Sequence, residues 1–243
     1  MKKHLLFLTL LFSSIFTFAQ NNVSFSSKIF PKIDKIQEFE TALKVHVQKY
    51  HTNDWKWNVF QVQSGPDYGG YMISEYPVSW DQVDKRGDLG SAHMTDWNKN
   101  VLVHVREVGL GSYGEFKAEL STVALTDYAD KIMIEYQFSN PGKMSVHKAM
   151  LEKLKKVWVE GKESVAVYEQ VGSGAPKFVI ITRFKDGLKV LSDDNQQAMS
   201  SRMDKVYGEG SFKSFADDYS KNVESRWSEI LYKRVDLSYS SKK

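Results

Sequence analysis

One pattern occurs twice in this chain, at a spacing of about 110 residues. Residues 60–66 read FQVQSGP and precede a strand-like run at 71–76, and residues 168–176 read YEQVGSGAP and precede a similar run at 179–184. The two Ser-Gly pairs begin at Ser64 and Ser173, which are 109 positions apart. Solenoid proteins repeat shorter units many times, whereas two long copies predict two similar halves. The pattern therefore predicts one structural unit used twice.

Residues 1–19 have the composition of a secretory signal peptide. Lys2 and Lys3 come first, an apolar run covers residues 5–12, and the small Thr17 and Ala19 precede the expected cleavage position. We expect cleavage after Ala19 and export of the mature protein to the periplasm or the medium. The chain contains no cysteine, which excludes disulfide bonds and a lipoprotein anchor.

The predicted mature chain is close to neutral. The full sequence has 33 basic and 30 acidic residues, and the signal peptide accounts for two of the lysines. The charges are interspersed, so no basic patch predicts nucleic-acid binding. No later segment is apolar enough to predict a membrane span. The composition thus predicts a soluble, exported, globular protein.

Hydrophobic periodicity predicts the same element order in both halves. In the first half, the patterns predict a strand at 23–30, a helix at 32–50, strands at 55–60 and 71–76, helical segments at 77–86 and 94–105, and a strand at 113–120. In the second, they predict a strand at 131–138, a helix at 144–159, strands at 164–171 and 177–184, a helical stretch at 193–226 and a strand at 230–237.

The first helix of each half carries an apolar stripe at steps of three and four residues. The two stripes consist of Ile33, Ile36, Phe39, Leu43 and Val47 in the first half and of Val146, Met150, Leu154, Val157 and Trp158 in the second.

Each half therefore reads as β-α-β-β-α-β, the ferredoxin-like arrangement with two helices on one face of an antiparallel sheet. We predict a first unit at 20–120, a linker at 121–129 and a second unit at 130–240. The other sheet face of a single unit stays uncovered, so we expect the two sheets to pack face to face. The predicted fold class is α+β, with two tandem ferredoxin-like units forming a pseudo-dimeric α+β barrel.

The tandem units, each with a helix after its first strand and an aromatic hairpin around Ser-Gly, resemble the dimeric α+β-barrel superfamily over roughly residues 23–237. That superfamily includes cofactor-free monooxygenases of the antibiotic-biosynthesis type and haem-handling enzymes. The resemblance implies a fold more directly than an activity. In its haem-degrading branch an Asn, a Trp and a His cooperate in the barrel cleft. Trp80 and His93 match the Trp and the His, and no Asn is matched.

Among the histidines, His93 is the candidate site residue, since His93 and Trp97 stand four positions apart and share one side of a helix. His46 and His147 are each next to an apolar stripe and read as helix-flank residues, and His51 reads as the end of the first helix. No two histidines stand three or four positions apart, so the spacing predicts no metal site. Residues 172–174 lie in a hairpin turn rather than in a nucleophile elbow.

Aromatic residues are the remaining functional signal. We take Trp55, Trp57, Trp80, His93 and Trp97 as the candidate ligand-binding set, with Trp55 and Trp57 on one face of a predicted strand. The favoured interpretation is an exported protein that binds a small apolar or aromatic ligand in the barrel cleft. One alternative is a cofactor-independent monooxygenase-like enzyme in which His93 polarises the substrate. Another is a purely structural or interaction module with a filled barrel.

The sequence predicts no bound cofactor, with haem as the alternative that the resemblance implies. Because one chain carries both halves, we expect a monomer with an internal pseudo-two-fold axis.

Overall fold

The computed structural model describes residues 21–192 and 197–240 of the chain. The predicted signal peptide at 1–19 lies outside the described residues, as do residues 193–196 at the beginning of the predicted helical stretch. Export, cleavage after Ala19 and the division into two units and a linker stay predictions.

Nine strands and six α-helices are present within the described part of the chain. The strands are β1 (Val23–Pro31), β2 (Trp57–Val62), β3 (Tyr71–Glu75), β4 (Val105–Val108), β5 (Ser112–Phe116), β6 (Lys131–Ser139), β7 (Val165–Val171), β8 (Lys177–Arg183) and β9 (Val223–Lys233). The α-helices are α1 (Ile36–Tyr50), α2 (Trp80–Lys85), α3 (Gly90–Asp96), α4 (Met144–Glu160), α5 (Met199–Tyr207) and α6 (Ser211–Asn222). Over the described ranges, none of the helices has the length and hydropathy needed to cross a bilayer.

Eight of the strands close into an antiparallel barrel. The pairing order is β3-β2-β9-β6-β8-β7-β5-β1, and β1 pairs back to β3. Within the halves the orders are β2-β3-β1-β5 and β7-β8-β6-β9, and the halves join through β2–β9 and β5–β7. Closure leaves no open sheet edge along these strands. The prediction of an α+β barrel is therefore confirmed.

Strand β4 continues the line of β5 along β1, with one surplus residue between them. Val108 pairs with Ile29, and Ser112 pairs with Ser26. Four steps along the β4–β5 segment therefore oppose three steps along β1, which makes residues 109–111 a β-bulge. Leu110 at its tip is 94% exposed. Among the described strands, β4 pairs only with β1.

The alternation of side chains along the strands creates one core inside the barrel and two cores outside it. The interior core contains Phe60, Val62, Met72, Ile132, Ile134 and Leu231. Outside, α1 covers one half through Phe39, Leu43 and Val47, packed on Val59, Tyr71 and Ile73. Helix α4 covers the other half through Leu151, Leu154, Val157 and Trp158, packed on Val165, Val167, Phe178 and Ile180.

The buried face of each long helix differs from the predicted stripe. Ile33 precedes α1 in a 3-10 turn and is 86% exposed, while His46 is fully buried on the covered face. In α4, Val146 is exposed and His147 is buried, so the stripe begins one position later than predicted. A buried imidazole is tolerated there because its ring nitrogens lie 2.7 Å from Ser139 Oγ and 2.9 Å from Gln137 Oε1.

Several predicted boundaries were also wrong. Trp55 belongs to a 3-10 turn, and β2 begins only at Trp57, so the two side chains do not share a strand face. The predicted helix at 94–105 is α3 followed by a π-helical turn at Trp97–Val101 and a 3-10 turn at Leu102–His104. Strand β9 begins directly after α6, because the backbone becomes extended at Val223, and this start lies seven residues before the predicted one.

The β2–β3 turn folds back onto β9. The Gln63 N–H donates to the Ile230 carbonyl at 2.7 Å, and the Ile230 N–H donates to Ser64 Oγ at 3.2 Å. Gly65 has φ +96°, and a methyl group at this position would lie 2.8 Å from Cβ of Glu229. The absence of a side chain is therefore what lets the turn approach β9.

We predict that Gly65→Ala destabilises the protein by about 2 kcal/mol or more, because it adds a steric clash to an unfavourable positive φ. Gly69→Ala is the matched control, since Gly69 has φ +82° and no atom within 4 Å of the added methyl group. Urea unfolding of both variants measures the difference. Equal destabilisation would show that the turn does not need its close approach to β9.

Candidate functional site

A cleft opens between the β2–β3 turn, the bulge at 109–111 and the beginning of β8. It has a volume of about 440 Å³ and continues into an interior space of about 90 Å³ between the strands. The two spaces share Ser26, Met72, Ser112 and Tyr136 in their linings. The larger volume lies in the range of small-molecule sites, which are concave and carry few polar groups. A wider, open groove lies along the outer side of α1.

A buried ion cluster forms the polar wall of the cleft. The Lys28 ammonium donates to Asp67 Oδ2 at 2.6 Å and also to Glu229 Oε1. Glu229 is 1% exposed, and its Oε2 has no hydrogen-bond partner among the described residues. The Tyr136 hydroxyl lies 3.4 Å from Glu229 Oε1. Pairing of Ile134 with Glu229 across β6 and β9 directs the carboxylate into the barrel.

An aromatic pair stands next to this cluster. Tyr136 and Trp227 are direct cross-strand partners on β6 and β9, and their ring centroids lie 4.2 Å apart with an interplanar angle of 31°. The Lys28 ammonium is 4.9 Å from each ring centroid, and the Lys177 ammonium is 5.2 Å from that of Tyr136. These distances fit cation–π contacts, which hold both ammonium groups beside the aromatic surface.

Burial changes the proton affinities in the cleft. It raises the pKa of the Glu229 carboxyl and that of the Tyr136 hydroxyl, because both charged forms lose solvation. Burial and then the nearby Lys28 lower the pKa of Lys177. No carboxylate of the described residues lies within ion-pair distance of Lys177. Lys177 is therefore a half-buried cation beside an aromatic surface and a second cation, where an anion would be favoured.

The structure separates the candidate residues of the sequence into three places. Trp55 stacks against the Arg86 guanidinium, which is 4.0 Å from its ring centroid. Trp80 begins α2 and packs against Tyr113, with centroids 5.4 Å apart. Neither belongs to the cleft lining. Trp57, His93 and Trp97 come together on the outer face of the barrel, next to α1, so His93 lies outside the cleft. Whether these five residues bind a ligand stays a prediction.

His46 and His51 join the group on the outer face. The His46 ring lies 4.8 Å from that of His93 and 4.9 Å from that of Trp97, measured between centroids, and His51 stacks on Trp57. Contrary to the sequence interpretation, His46 is not a helix-flank residue: it is fully buried, and His51 is 1% exposed.

Sequence reasoning missed the residues that build the cleft. Lys28 occupies an inward position on β1, on the same face as Ser24 and Ser26. A charged residue at such a position indicates a buried polar site and could have been recognised in the sequence. Glu229 and Trp227 fall between the predicted helical stretch at 193–226 and the predicted last strand at 230–237, so neither was assigned to an element. Because that strand begins earlier, the alternation that directs both side chains inward was not recognised.

Comparison with solved structures identifies this architecture. An anthrone oxidase-like protein superimposes with a TM-score of 0.56 at 12% identity, covering 88% of this chain and 92% of that one. The chain has a dimeric α+β-barrel fold. A "putative monooxygenase" from Lactobacillus acidophilus NCFM gives 0.50 at 11% identity, with coverages of 87% and 94%. A mutant chlorite dismutase from Candidatus Nitrospira defluvii gives 0.53 at 9%, with coverages of 89% and 92%.

The structural similarity establishes the fold, and at identities this low it leaves the activity open. No family model matches the sequence, and no curated protein matches it.

The cleft does not fit a histidine-ligated haem. None of its lining residues is a histidine. The second half contains a single histidine, His147, whose two ring nitrogens lie at hydrogen-bond distance from Ser139 and Gln137. Trp80 and His93, which match the haem-degrading branch, have different ring neighbours: Trp80 contacts Tyr113, and His93 contacts His46, Tyr50 and His51.

We predict that Glu229→Gln has a larger free energy of unfolding than wild type, and that this difference grows as the pH rises from about 4.5 toward neutrality. Burial raises the pKa of Glu229. The protonated carboxyl therefore stabilises the wild type at low pH, and this stabilisation is lost as the pH rises through the folded-state pKa. Gln still accepts from Lys28 and avoids the buried negative charge. The gain is about 1.4 kcal/mol for each unit by which the pKa is raised.

Urea unfolding at matched pH values measures this difference, with the exposed Glu224→Gln on the same strand as the control. A relative stability of Glu229→Gln that falls as the pH rises would show instead that attraction to Lys28 outweighs the loss of solvation.

Proposed function

We propose that the protein binds a small planar aromatic molecule that carries an acidic group, in the cleft at the open side of the barrel. The observation that carries this proposal is Lys177, a half-buried cation without a carboxylate partner among the described residues, beside the paired rings of Tyr136 and Trp227. A ligand carboxylate or phenolate would pair with its ammonium group. The ligand ring would lie against the aromatic pair.

Different residues of the cleft have different tasks in this proposal. Lys28 is already bound by Asp67 and Glu229, so it positions the aromatic pair and leaves Lys177 free to hold the anion. Met72 supplies apolar contact, while Ser26 and Ser112 offer hydroxyl groups for orientation. A mostly apolar cavity with a few convergent polar groups is the usual form of a small-molecule site.

The cellular setting belongs to the same proposal. We infer export after cleavage at Ala19, a monomeric protein, and an origin of the two halves by duplication of a ferredoxin-like unit. The matching strand orders of the two halves support the duplication. Closure of the barrel within one chain supports the monomer, because its edges are paired internally.

Binding of 2-naphthoate tests the proposal, with 2-naphthylmethanol as its uncharged counterpart. We expect wild type to bind the acid at least about tenfold more tightly, since a charge-assisted hydrogen bond contributes about 1.5–3 kcal/mol. Lys177→Met should remove that preference and leave the affinity for the alcohol within about twofold. Isothermal titration calorimetry measures both affinities.

Lys213→Met, at an exposed position of α6, is the control for loss of a positive charge. Equal affinities for acid and alcohol in wild type, or an unchanged preference in Lys177→Met, would contradict the proposal.

A second candidate is a cofactor-independent monooxygenase-like reaction in the same cleft. The similarity to an anthrone oxidase-like protein favours it. Anthrone, a planar tricyclic ketone, supplies the probe: its methylene group becomes a carbonyl, one O2 is consumed and one water is released. In this scheme a water molecule accepts the methylene proton, and Lys177 holds the enolate oxygen and so stabilises the negative charge that develops there.

We expect oxygen consumption and anthraquinone formation above the rate without protein, and a lower rate with Lys177→Met. A rate no higher than the spontaneous one would reject the enzymatic candidate and leave the binding proposal standing.

A further inference from the structure

Three imidazoles converge on the outer face of the barrel, away from the cleft. His46 lies on α1, His51 directly follows α1, and His93 lies on α3. One ring nitrogen of each lies within 4.8 Å of the other two. The backbone leaves helical geometry at His51, with φ −96° and ψ 64°, which turns this side chain back toward His46. Residues five positions apart thereby meet, which a continuous helix would not allow.

Oxygen acceptors fix the proton positions of two of these rings. His46 Nδ1 lies 2.7 Å from Asp96 Oδ2, and His51 Nδ1 lies 3.1 Å from the Trp55 carbonyl oxygen. Since a carboxylate and a carbonyl only accept, each Nδ1 carries the proton and donates it. In the neutral rings each Nε2 then presents a lone pair, and the two Nε2 atoms face each other at 3.3 Å.

Two lone pairs at this distance repel each other unless a positive centre lies between them. Two nitrogens that bind one tetrahedral zinc ion at 2.0–2.1 Å stand about 3.3–3.4 Å apart. The separation of the His46 and His51 nitrogens has this value. The pair is therefore arranged as two metal ligands are.

The third imidazole supplies an unpaired group at the same place. His93 Nε2 is buried and has no hydrogen-bond partner among the described residues. A buried polar nitrogen without a partner is uncommon in a native structure and calls for an explanation. Neutral imidazole is the form that binds metal ions.

We propose that His46, His51 and His93 bind one divalent transition-metal ion of the Zn²⁺ type, with the fourth coordination position occupied by water. Imidazole nitrogen suits zinc and its first-row neighbours, and magnesium prefers oxygen ligands. Three histidines and one open position form a set that zinc proteins use.

Asp96 is the positioning residue of this site. Its Oδ2 accepts from His46, while its Oδ1 accepts from the Asn100 side chain at 2.8 Å. A carboxylate bound to the far nitrogen of a ligating histidine holds the ring orientation and raises its basicity. The π-helical turn at Trp97–Val101 follows Asp96 directly, and such turns often accompany functional sites.

The site differs from the sequence-based prediction of no metal and is independent of the cleft proposal. No histidine lines the cleft, and no cleft residue described above belongs to the histidine cluster. Failure of naphthoate binding would leave this inference untouched, and the converse also holds.

Metal content of the untagged protein tests the inference. After removal of metal with a chelator and dialysis against Zn²⁺, we expect one zinc ion per chain by mass spectrometry of the metal, and no retention of Mg²⁺. Co²⁺ in place of Zn²⁺ should give the visible absorption bands of a tetrahedral nitrogen site. Zn²⁺ should also raise the melting temperature of the wild-type protein.

Variants separate the cluster from other zinc-binding groups. His93→Ala should weaken Zn²⁺ binding by about a hundredfold or more, and Asp96→Asn by about tenfold. His147→Gln replaces a fully buried histidine outside the cluster and should keep one zinc ion per chain. Circular dichroism confirms that each variant is folded, and His93, being only half buried, is the safest of the three to change.

Folded wild type that retains no zinc would overturn the inference, as would a loss of zinc from His147→Gln equal to that from His93→Ala. In the first case an additional proton shared by the two Nε2 atoms would explain their separation.

Discussion

Pairing between the two halves, β2 with β9 and β5 with β7, is the constraint on which the rest of this structure depends. Without it, each half would expose an apolar sheet face that carries Phe60, Val62 and Met72 on one side and Ile132, Ile134 and Leu231 on the other. Burial of each large side chain contributes about 1.5–3 kcal/mol. Closure also buries Glu229 against Lys28, and so creates the electrostatic asymmetry of the cleft.

Most of the architecture follows from periodicity in the sequence. Alternation in β6 and the three-and-four spacing in α1 and α4 are local properties, and they predicted an antiparallel sheet with helices on one face. The misplaced boundaries share a different cause. Trp55, the segment at 94–105 and the beginning of β9 all lie where a helix or helical turn leads into a strand without a polar loop. Tertiary hydrogen bonds decide such junctions, and one sequence window does not contain them.

The two candidate sites were less accessible to sequence reasoning. The cleft depends on the inward position of Glu229 and Trp227, which only the true start of β9 reveals. The histidine cluster joins residues five and forty-two positions apart, through a backbone bend at His51 and the contact of α3 with α1. Rules for metal sites look for histidines three or four residues apart on a helix. His93 was selected for its spacing from Trp97, and the structure places it beside two histidines that spacing alone did not connect.

The bulge at residues 109–111 shapes the opening of the cleft. The line of β4 and β5 contains one residue more than the strand it pairs with, and this surplus lifts Leu110 away from the wall. The rim of the cleft is therefore made by backbone geometry, while the ion-pair and cation–π contacts of its wall come from side chains on β1, β6, β8 and β9. A change in the length of the bulge would therefore alter the width of the opening and leave the paired Tyr136 and Trp227 of the chamber in place.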